Sequence, residues 1–225
     1  SPPDGGRRIP ASAPLDHSPN AKEARRADRF CQLAVAAAAE ALAHAGGRDA
    51  LGVDPGRVGV LLGTGVGGLS TTEEQILTYH EKGPRRVSPF LVPMMMPNAA
   101  AAALSMRYGF CGPCETTVTA CAAGTHAIGN AASLVASGVC DVVVTGGSEA
   151  AMTPVGIQGF TNMTALSSSG TSRPFDAARD GFVIAEGAGV LVLEEMDSAL
   201  ARGATVLAEV VGWASTADAH HLTAP

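Results

Sequence analysis

A run of β-branched residues that stops at a cysteine constrains the fold of this chain more than any other feature. Residues 116–119 (TTVT) favour a buried β-strand, and Cys121 follows among small residues that end at Gly124. Residues 125–137 are rich in alanine and predict a helix. The pattern therefore predicts a strand-to-helix turn that carries a cysteine.

A cysteine on such a turn has a defined chemistry. The helix dipole favours the thiolate, which is the nucleophilic form of the side chain. Small neighbours let a substrate carbonyl approach, and they leave backbone N–H groups free to meet a developing oxyanion. Cysteines inside proteins more often serve as packing. The residues alone therefore leave two interpretations open, a catalytic Cys121 and a structural one.

The rest of the chain alternates between predicted helices and strands. Helices are predicted at residues 21–44, 71–79 and 98–107, with a helical turn at 197–201. Strands are predicted at residues 58–62, 141–145, 189–194 and 205–213. Residues 1–20 hold five prolines and no hydrophobic period, which indicates an irregular N-terminal segment. The alternation predicts an α/β fold, with a sheet covered by helices on both faces.

Composition excludes several functional classes. The net charge of −6 argues against a nucleic-acid surface. No apolar run approaches the roughly 20 residues that a membrane helix needs. Five cysteines is an odd number, without the spacing of a small disulfide scaffold. We therefore expect a reduced, cytoplasmic protein that binds neither nucleic acid nor membrane.

Two motifs imitate other functions. Residues 111–114 (CGPC) match a thioredoxin-type motif, but a strand sequence follows where that chemistry needs a helix. Residues 63–68 (GTGVGG) match GxGxxG, but no second strand with an acidic end follows about 20 residues later. We interpret the first as a turn into the cysteine strand and the second as a close-packed strand-to-helix turn. We predict no cofactor and no metal site.

Several further motifs occur in the order in which one protein family carries them. They are residues 119–124 (TACAAG), 146–149 (GGSE), 172–176 (SRPFD) and 179–182 (RDGF), and residues 83–90 (GPRRVSPF) and 218–223 (DAHHLT) fit the same pattern. From about residue 22 to residue 225 the chain resembles the β-ketoacyl-acyl-carrier-protein synthase II family, to which type II polyketide ketosynthases are related. The resemblance implies a thiolase-like αβαβα sandwich, here mainly its first half. On this view residues 21–225 are the N-terminal half of a truncated condensing-enzyme domain.

The resemblance also implies an activity. Cys121 would carry the acyl chain as a thioester, a malonyl thioester would lose carbon dioxide, and the resulting enolate would attack the acyl group. Such a β-ketoacyl synthase would serve fatty-acid or polyketide synthesis and act as a homodimer. The family's pattern places Met96 and Phe160 in the wall of the acyl pocket, and it assigns Thr223 to substrate binding.

Two basic stretches stand out on an otherwise acidic chain. Lys22, Arg25 and Arg26 fall in a predicted helix, and Arg85 and Arg86 lie in a predicted loop. Clusters of this kind are most often solvated surfaces. The resemblance implies that they meet the acidic acyl carrier protein, which delivers acyl and malonyl groups on its phosphopantetheine arm.

The chain also departs from the family. The family stabilises the enolate with a lysine and with two histidines in His-Gly-Thr and Gly-His segments, and neither segment occurs here. We expect the chain to be a fragment or one piece of a split synthase, with His221 in a supporting role at most. Thr164 stands where the family commonly has an arginine that contacts the carrier.

Two other functions remain open. One is a thiolase-fold acyltransferase that performs no condensation. The other is a non-catalytic partner subunit of a ketosynthase pair. Cys121 argues against the partner subunit, because such partners typically lack the nucleophile.

Overall fold

A computed structural model describes residues 21–221, so the predicted irregular segment 1–20 and Thr223 lie outside the described residues. The helices are α1 (Ala21–Ala24), α2 (Arg29–His44), α3 (Leu69–Lys82), α4 (Leu91–Met95), α5 (Ala99–Tyr108), α6 (Ala123–Ala136), α7 (Pro154–Asn162) and α8 (Met196–Ala201). The strands are β1 (Val58–Gly63), β2 (Cys114–Thr117), β3 (Val142–Glu149) and β4 (Gly187–Glu194). Among the described residues, no helix is both long and apolar enough to cross a membrane.

Within residues 21–221 the four strands form one mixed sheet in the order β2-β1-β3-β4. Strand β1 runs parallel to β2 and to β3, whereas β4 is antiparallel to β3. Gly63 pairs with Thr117 on one side and with Gly147 on the other. The carboxyl ends of β1, β2 and β3 therefore meet at one edge of the sheet, where the loops that follow them are neighbours.

The two central strands are apolar because helices cover both of their faces. Every residue of β1 is buried. On one face α2 and α5 pack against the sheet, and Phe30 and Leu104 contact the cluster that contains Val60 and Val144. On the other face Ala131 of α6 packs with Leu61, Cys140 and Val143. Alternate residues of one strand therefore point into opposite layers, and the prediction of helices on both faces is confirmed.

The strand before Cys121 differs from its prediction. It covers Cys114–Thr117 and lies at the edge of the sheet, where its residues are exposed or only partly buried. Its only neighbour among the described residues is β1. The expectation of a buried strand at residues 116–119 is therefore wrong, because β-branched composition gives no information about which strand occupies the edge.

The prediction of one helix over residues 21–44 is also wrong. The helix is interrupted before Asp28, whose backbone is extended and whose carboxylate accepts a hydrogen bond from the Phe30 N–H at 3.3 Å. The same buried carboxylate accepts hydrogen bonds from the backbone N–H and the hydroxyl of Thr71, at 2.9 and 2.6 Å. Asp28 therefore caps α2 and joins it to α3, which outweighs the helical period that runs through it.

Residues 205–213 do not form the predicted strand. They have no regular secondary structure, and Leu207 and Val211 are almost fully exposed. A strand needs a neighbour to hydrogen-bond with, and no described strand lies beside this segment. Trp213 instead crosses α6, where its indole N–H donates to the Ser133 hydroxyl at 3.0 Å and its ring lies against Gly129.

The amino end of α6 touches the sheet without intervening side chains. A Cβ atom on Gly63 would lie 2.3 Å from the carbonyl carbon of Ala123. A Cβ on Gly147, the sheet partner of Gly63, would lie 3.1 Å from the Cα of Gly124. Glycine is thus required at this contact, since any side chain would push the helix away. The contact brings the turn that contains Cys121 to the carboxyl edge of the sheet.

We expect Gly63→Ala to lower the free energy of unfolding by about 1–3 kcal/mol, because the methyl group overlaps the α6 backbone. The matched control is Gly187→Ala in β4, where a Cβ would meet nothing within 4 Å. The control should change stability by no more than about 0.5 kcal/mol. Urea unfolding followed by circular dichroism measures both, and equal effects would show that the glycine contact is not the cause.

Candidate active site

Cys121 lies on a tight turn between β2 and α6. A short 3-10 turn covers Ala120–Ala122, and α6 begins at Ala123, two residues before the predicted start. Cys121 is exposed to solvent. Ala120 has a φ of 51°, a left-handed conformation that is costly for a residue other than glycine. Cys121 is thus exposed on a turn whose backbone is strained.

The amino terminus of α6 lies beside this thiol. Its N-cap position is Ala122, and no described side chain caps it. The N–H groups of Ala122 and Ala123 donate to the carbonyl groups of Thr119 and Ala120 in the preceding turn. The turn therefore combines an exposed cysteine with the positive end of the α6 dipole, which favours a developing negative charge.

The loop after β1 stands next to the Cys121 turn. A Cβ on Gly65 would lie 3.7 Å from the carbonyl oxygen of Ala120. Glu149 at the end of β3 holds this loop, because its Oε2 accepts from the N–H groups of Gly65 at 2.7 Å and Val66 at 3.2 Å. The interpretation of residues 63–68 as a close-packed turn is thus confirmed. Glu149 was not among the predicted site residues, although it ends the 146–149 motif (GGSE).

Residues 93–97 (PMMMP) pack against the same loop. Pro93 lies inside α4, and Met96 follows the end of that helix with 39% of its surface exposed. A Cβ on Gly67 would lie 3.0 Å from the Cα of Pro97. Met96 therefore directly precedes Pro97, the residue that contacts the loop beside Cys121.

Phe160 lies on α7 and packs edge-to-face against Phe182, with ring centroids 5.2 Å apart. Both rings are partly exposed. Thr164, two residues beyond the end of α7, has a φ of 55°. The aromatic pair thus joins α7 to the segment that leads into β4.

The histidine nearest to Cys121 in the sequence is held by hydroxyl groups. His126 Nδ1 lies 2.8 Å from the Thr119 hydroxyl, and its Nε2 lies 3.3 Å from the Ser215 hydroxyl. It therefore braces the segment before the cysteine and the segment that crosses α6. His220 and His221 are both exposed.

The other cysteines occupy different environments. All five thiols are free, and Cys31 and Cys140 are buried. Burial, aided by the negative charge of Asp28, raises the pKa of Cys31 to about 11. Burial also raises the pKa of Cys140. Cys111 lies in the turn into β2, and no helix begins there, so the thioredoxin-type motif lacks its structural context.

The two predicted basic stretches lie side by side. The Arg26 guanidinium stands 4.7 Å from the centre of the Phe90 ring, which joins the turn before α2 to the segment after Arg86. Arg25, Arg26, Arg85 and Arg86 are all exposed. The side chain of Lys22 lies outside the described part of the structure. We call these four arginines the basic surface.

Residues 12–222 match the family model described as the β-ketoacyl synthase N-terminal domain. The chain belongs to the β-ketoacyl synthase family. The resemblance inferred from the cysteine, GGSE and SRPFD motifs is thereby confirmed.

The relatives are condensing enzymes by name. A 3-oxoacyl-[acyl-carrier-protein] synthase 2 from Synechocystis is 49% identical over 210 residues, which cover 91% of this chain and 50% of that protein. The protein of the same name from Staphylococcus aureus is also 49% identical, over 208 residues with the same coverage. The chain thus spans about half the length of the curated relatives it matches.

Two solved structures show the same fold. A β-ketoacyl synthase from Burkholderia phymatum has a TM-score of 0.83 and 36% identity, covering 96% of this chain and 54% of that one. A type II polyketide ketosynthase, solved in complex with its acyl carrier protein, has a TM-score of 0.73 and 30% identity, covering 85% and 54%. The predicted α/β fold, a partial thiolase-like sandwich, is confirmed.

Brief treatment with iodoacetamide near neutral pH should label Cys121 before the other four cysteines. Cys121 combines exposure with a helix amino terminus, whereas the raised pKa values of Cys31 and Cys140 keep those thiols protonated. Peptide mass mapping gives the order of labelling, and Cys121→Ala should remove the fastest phase. Faster labelling of Cys111 or Cys114 would instead favour the thioredoxin-type interpretation.

Proposed function

We propose that this chain is the nucleophile-bearing part of an elongating β-ketoacyl synthase of fatty-acid or polyketide synthesis. The observation that carries the proposal is the position of Cys121, exposed on a strained turn at the start of α6 in a chain of this family. A packing cysteine would be buried, as Cys31 and Cys140 are. Free thiols accord with a reducing cytoplasm.

The geometry supports an acyl-transfer step. The Cys121 thiolate attacks the carbonyl carbon of a carrier-bound acyl thioester, and the positive end of the α6 dipole stabilises the oxyanion. The tetrahedral intermediate then expels the carrier's thiolate, which takes up a proton. The acyl chain is left on Cys121 as a new thioester.

Condensation follows when a malonyl thioester loses carbon dioxide and its enolate attacks the acyl-cysteine carbonyl. That step needs donors for the enolate oxygen, which the family places in segments absent from these 225 residues. A thiolase-fold acyltransferase that stops at the acyl-cysteine is therefore the second candidate. The partner-subunit alternative is disfavoured by Cys121 itself.

We assign Met96 and Phe160 to the walls of the acyl pocket, and Thr223 to substrate binding. Support for Met96 comes from the contact of its neighbour Pro97 with Gly67, on the loop beside the Cys121 turn. Support for Phe160 comes from its packing on Phe182, which fixes the ring on α7. Thr223 rests on the 218–223 motif alone.

We propose an acyl carrier protein as the substrate-bearing partner, docked on the basic surface. One solved relative was captured with its own carrier protein. We add Lys22 to this docking site because it lies close in the sequence to Arg25 and Arg26. We also propose a homodimer, for which β2 offers an edge that no other strand among residues 21–221 pairs with.

The proposed function is tested by mixing the chain with a carrier protein that bears an acyl group. Intact-mass measurement should show one acyl group added, located on Cys121 by peptide mapping and missing in Cys121→Ala. Addition of malonyl-carrier protein to the 225-residue chain should release no carbon dioxide above background, because no enolate donors are present. Acylation that persists in Cys121→Ala would contradict the assignment of the nucleophile.

Reversing the charge of the basic surface should slow association with the carrier protein. Arg85→Glu combined with Arg86→Glu should reduce the association rate constant about tenfold or more at low salt, and less at high salt. Thermal stability should change little, since both side chains are exposed. Stopped-flow fluorescence with a labelled acyl carrier protein measures the rate.

The matched control compares the single variants Arg85→Glu and Arg48→Glu, which change the net charge equally. Arg48 lies beyond the carboxyl end of α2, roughly 24 Å along this 16-residue helix from its amino end. Equal slowing in both single variants would mean that only the net charge matters and that the basic surface is not the docking site.

A further inference from the structure

A single carboxylate holds the tip of the loop beside Cys121. Glu149 Oε2 accepts hydrogen bonds from the N–H groups of Gly65 and Val66 and from the Thr64 hydroxyl, the last at 3.3 Å. Its Oε1 accepts from the N–H of Ala150 at 3.1 Å. One side chain at the end of β3 thus joins two strand ends that are neighbours in the sheet.

Backbone hydrogen bonds hold the two ends of the loop, where the Thr64 N–H donates to the Thr117 carbonyl at 3.1 Å and the Gly68 N–H donates to the Met95 carbonyl at 3.2 Å. Val66 is 47% exposed, and glycines flank it at positions 65 and 67. The Thr64 hydroxyl accepts a hydrogen bond from the Gly67 N–H at 3.1 Å while it donates to Glu149. The carboxylate therefore ties the Gly65 and Val66 amides, at the tip of the loop, to the end of β3, and bonds to a charged acceptor are about twice as strong as neutral ones.

The opposite side of the loop faces the nucleophile turn. Gly65 stands between the Glu149 carboxylate and the backbone of Ala120, since its Cβ position lies 3.0 Å from Oε2 and 3.7 Å from the Ala120 carbonyl oxygen. A side chain at residue 65 would fill this gap. Movement of the loop would thus change the space next to Cys121 directly.

We propose that Glu149 is a positioning residue that holds residues 64–67 at a fixed distance from the Cys121 turn and thereby sets which acyl groups fit there. The inference rests on the proposed function, because it gives the cysteine an acyl substrate. Glu149 touches no reacting atom. It acts through the loop, whose fixed position keeps the approach to the thiol preorganised.

The test compares Glu149→Gln with the unaltered chain by two measurements. The first is hydrogen exchange at the Gly65 and Val66 amides, which should speed up about tenfold or more when the charged acceptor is lost. The second is the ratio of Cys121 labelling rates with iodoacetamide and with an N-dodecyl iodoacetamide. That ratio should shift at least about threefold, because a loosened wall affects the long probe more than the small one.

Glu195→Gln is the matched control. Glu195 also accepts two backbone N–H bonds, from Asp197 and Ser198, but it follows the end of β4 that pairs with Val142. Glu149 pairs with Gly187 at the other end of the same strand pair. The control should leave both the exchange of the loop amides and the labelling ratio unchanged.

A folded Glu149→Gln chain with unaltered exchange and an unaltered labelling ratio would overturn the proposal. If Glu149→Gln does not fold, the same two measurements are made on Thr64→Val. That variant removes one donor to the carboxylate and leaves the carboxylate in place. It should shift both measurements in the same direction by a smaller factor, and no shift would again overturn the proposal. Labelling does not require acyl transfer, so the proposed function can fail the acylation test independently.

Discussion

The contact between the amino end of α6 and the carboxyl edge of the sheet determines the arrangement of the rest of the site. Gly63 and Gly147 are sheet partners, and each presents bare backbone to the first turn of α6. Since no side chain separates the helix from the strands, the turn before α6 must rise sharply from the end of β2. The positive φ of Ala120 is a consequence of that rise, and exposure of Cys121 is its chemical result.

Carboxylates hold other segments in place through hydrogen bonds. Asp28 joins α2 to α3 through Thr71, and Glu149 joins the loop after β1 to β3. Asp180 accepts hydrogen bonds from three consecutive serines, Ser167 to Ser169, and these bonds hold the pKa of its carboxyl well below the ordinary value. Its contribution to stability is therefore present above the ordinary pKa of about 4 and is lost as pH falls below it.

The sequence predicts the elements whose composition depends on their own local packing. Apolar runs predicted β1 and β3, because strands buried on both faces consist of apolar residues. The small residues around Cys121 predicted the turn, because close packing there excludes larger side chains. Asp28 was missed as a helix start, since its partner Thr71 is distant in the chain. The strand predicted at residues 205–213 has suitable residues but no neighbouring strand among those described. The role of Glu149 could not be predicted, because it depends on β1 and β3 being neighbours in the sheet.

The basic surface shows how charge can select an orientation on an acidic protein. Arg26 and Phe90 bring two basic stretches together, although the chain as a whole carries a net charge of −6. Beyond a Debye length of about 8–10 Å the net charge would repel an acidic partner only weakly, because salt screens it. At shorter distances the arginines dominate the field in front of them. In the proposed docking, an acidic carrier would therefore be oriented by the local charge of the basic surface and not by the net charge of the chain, which is the role of electrostatic complementarity in specificity.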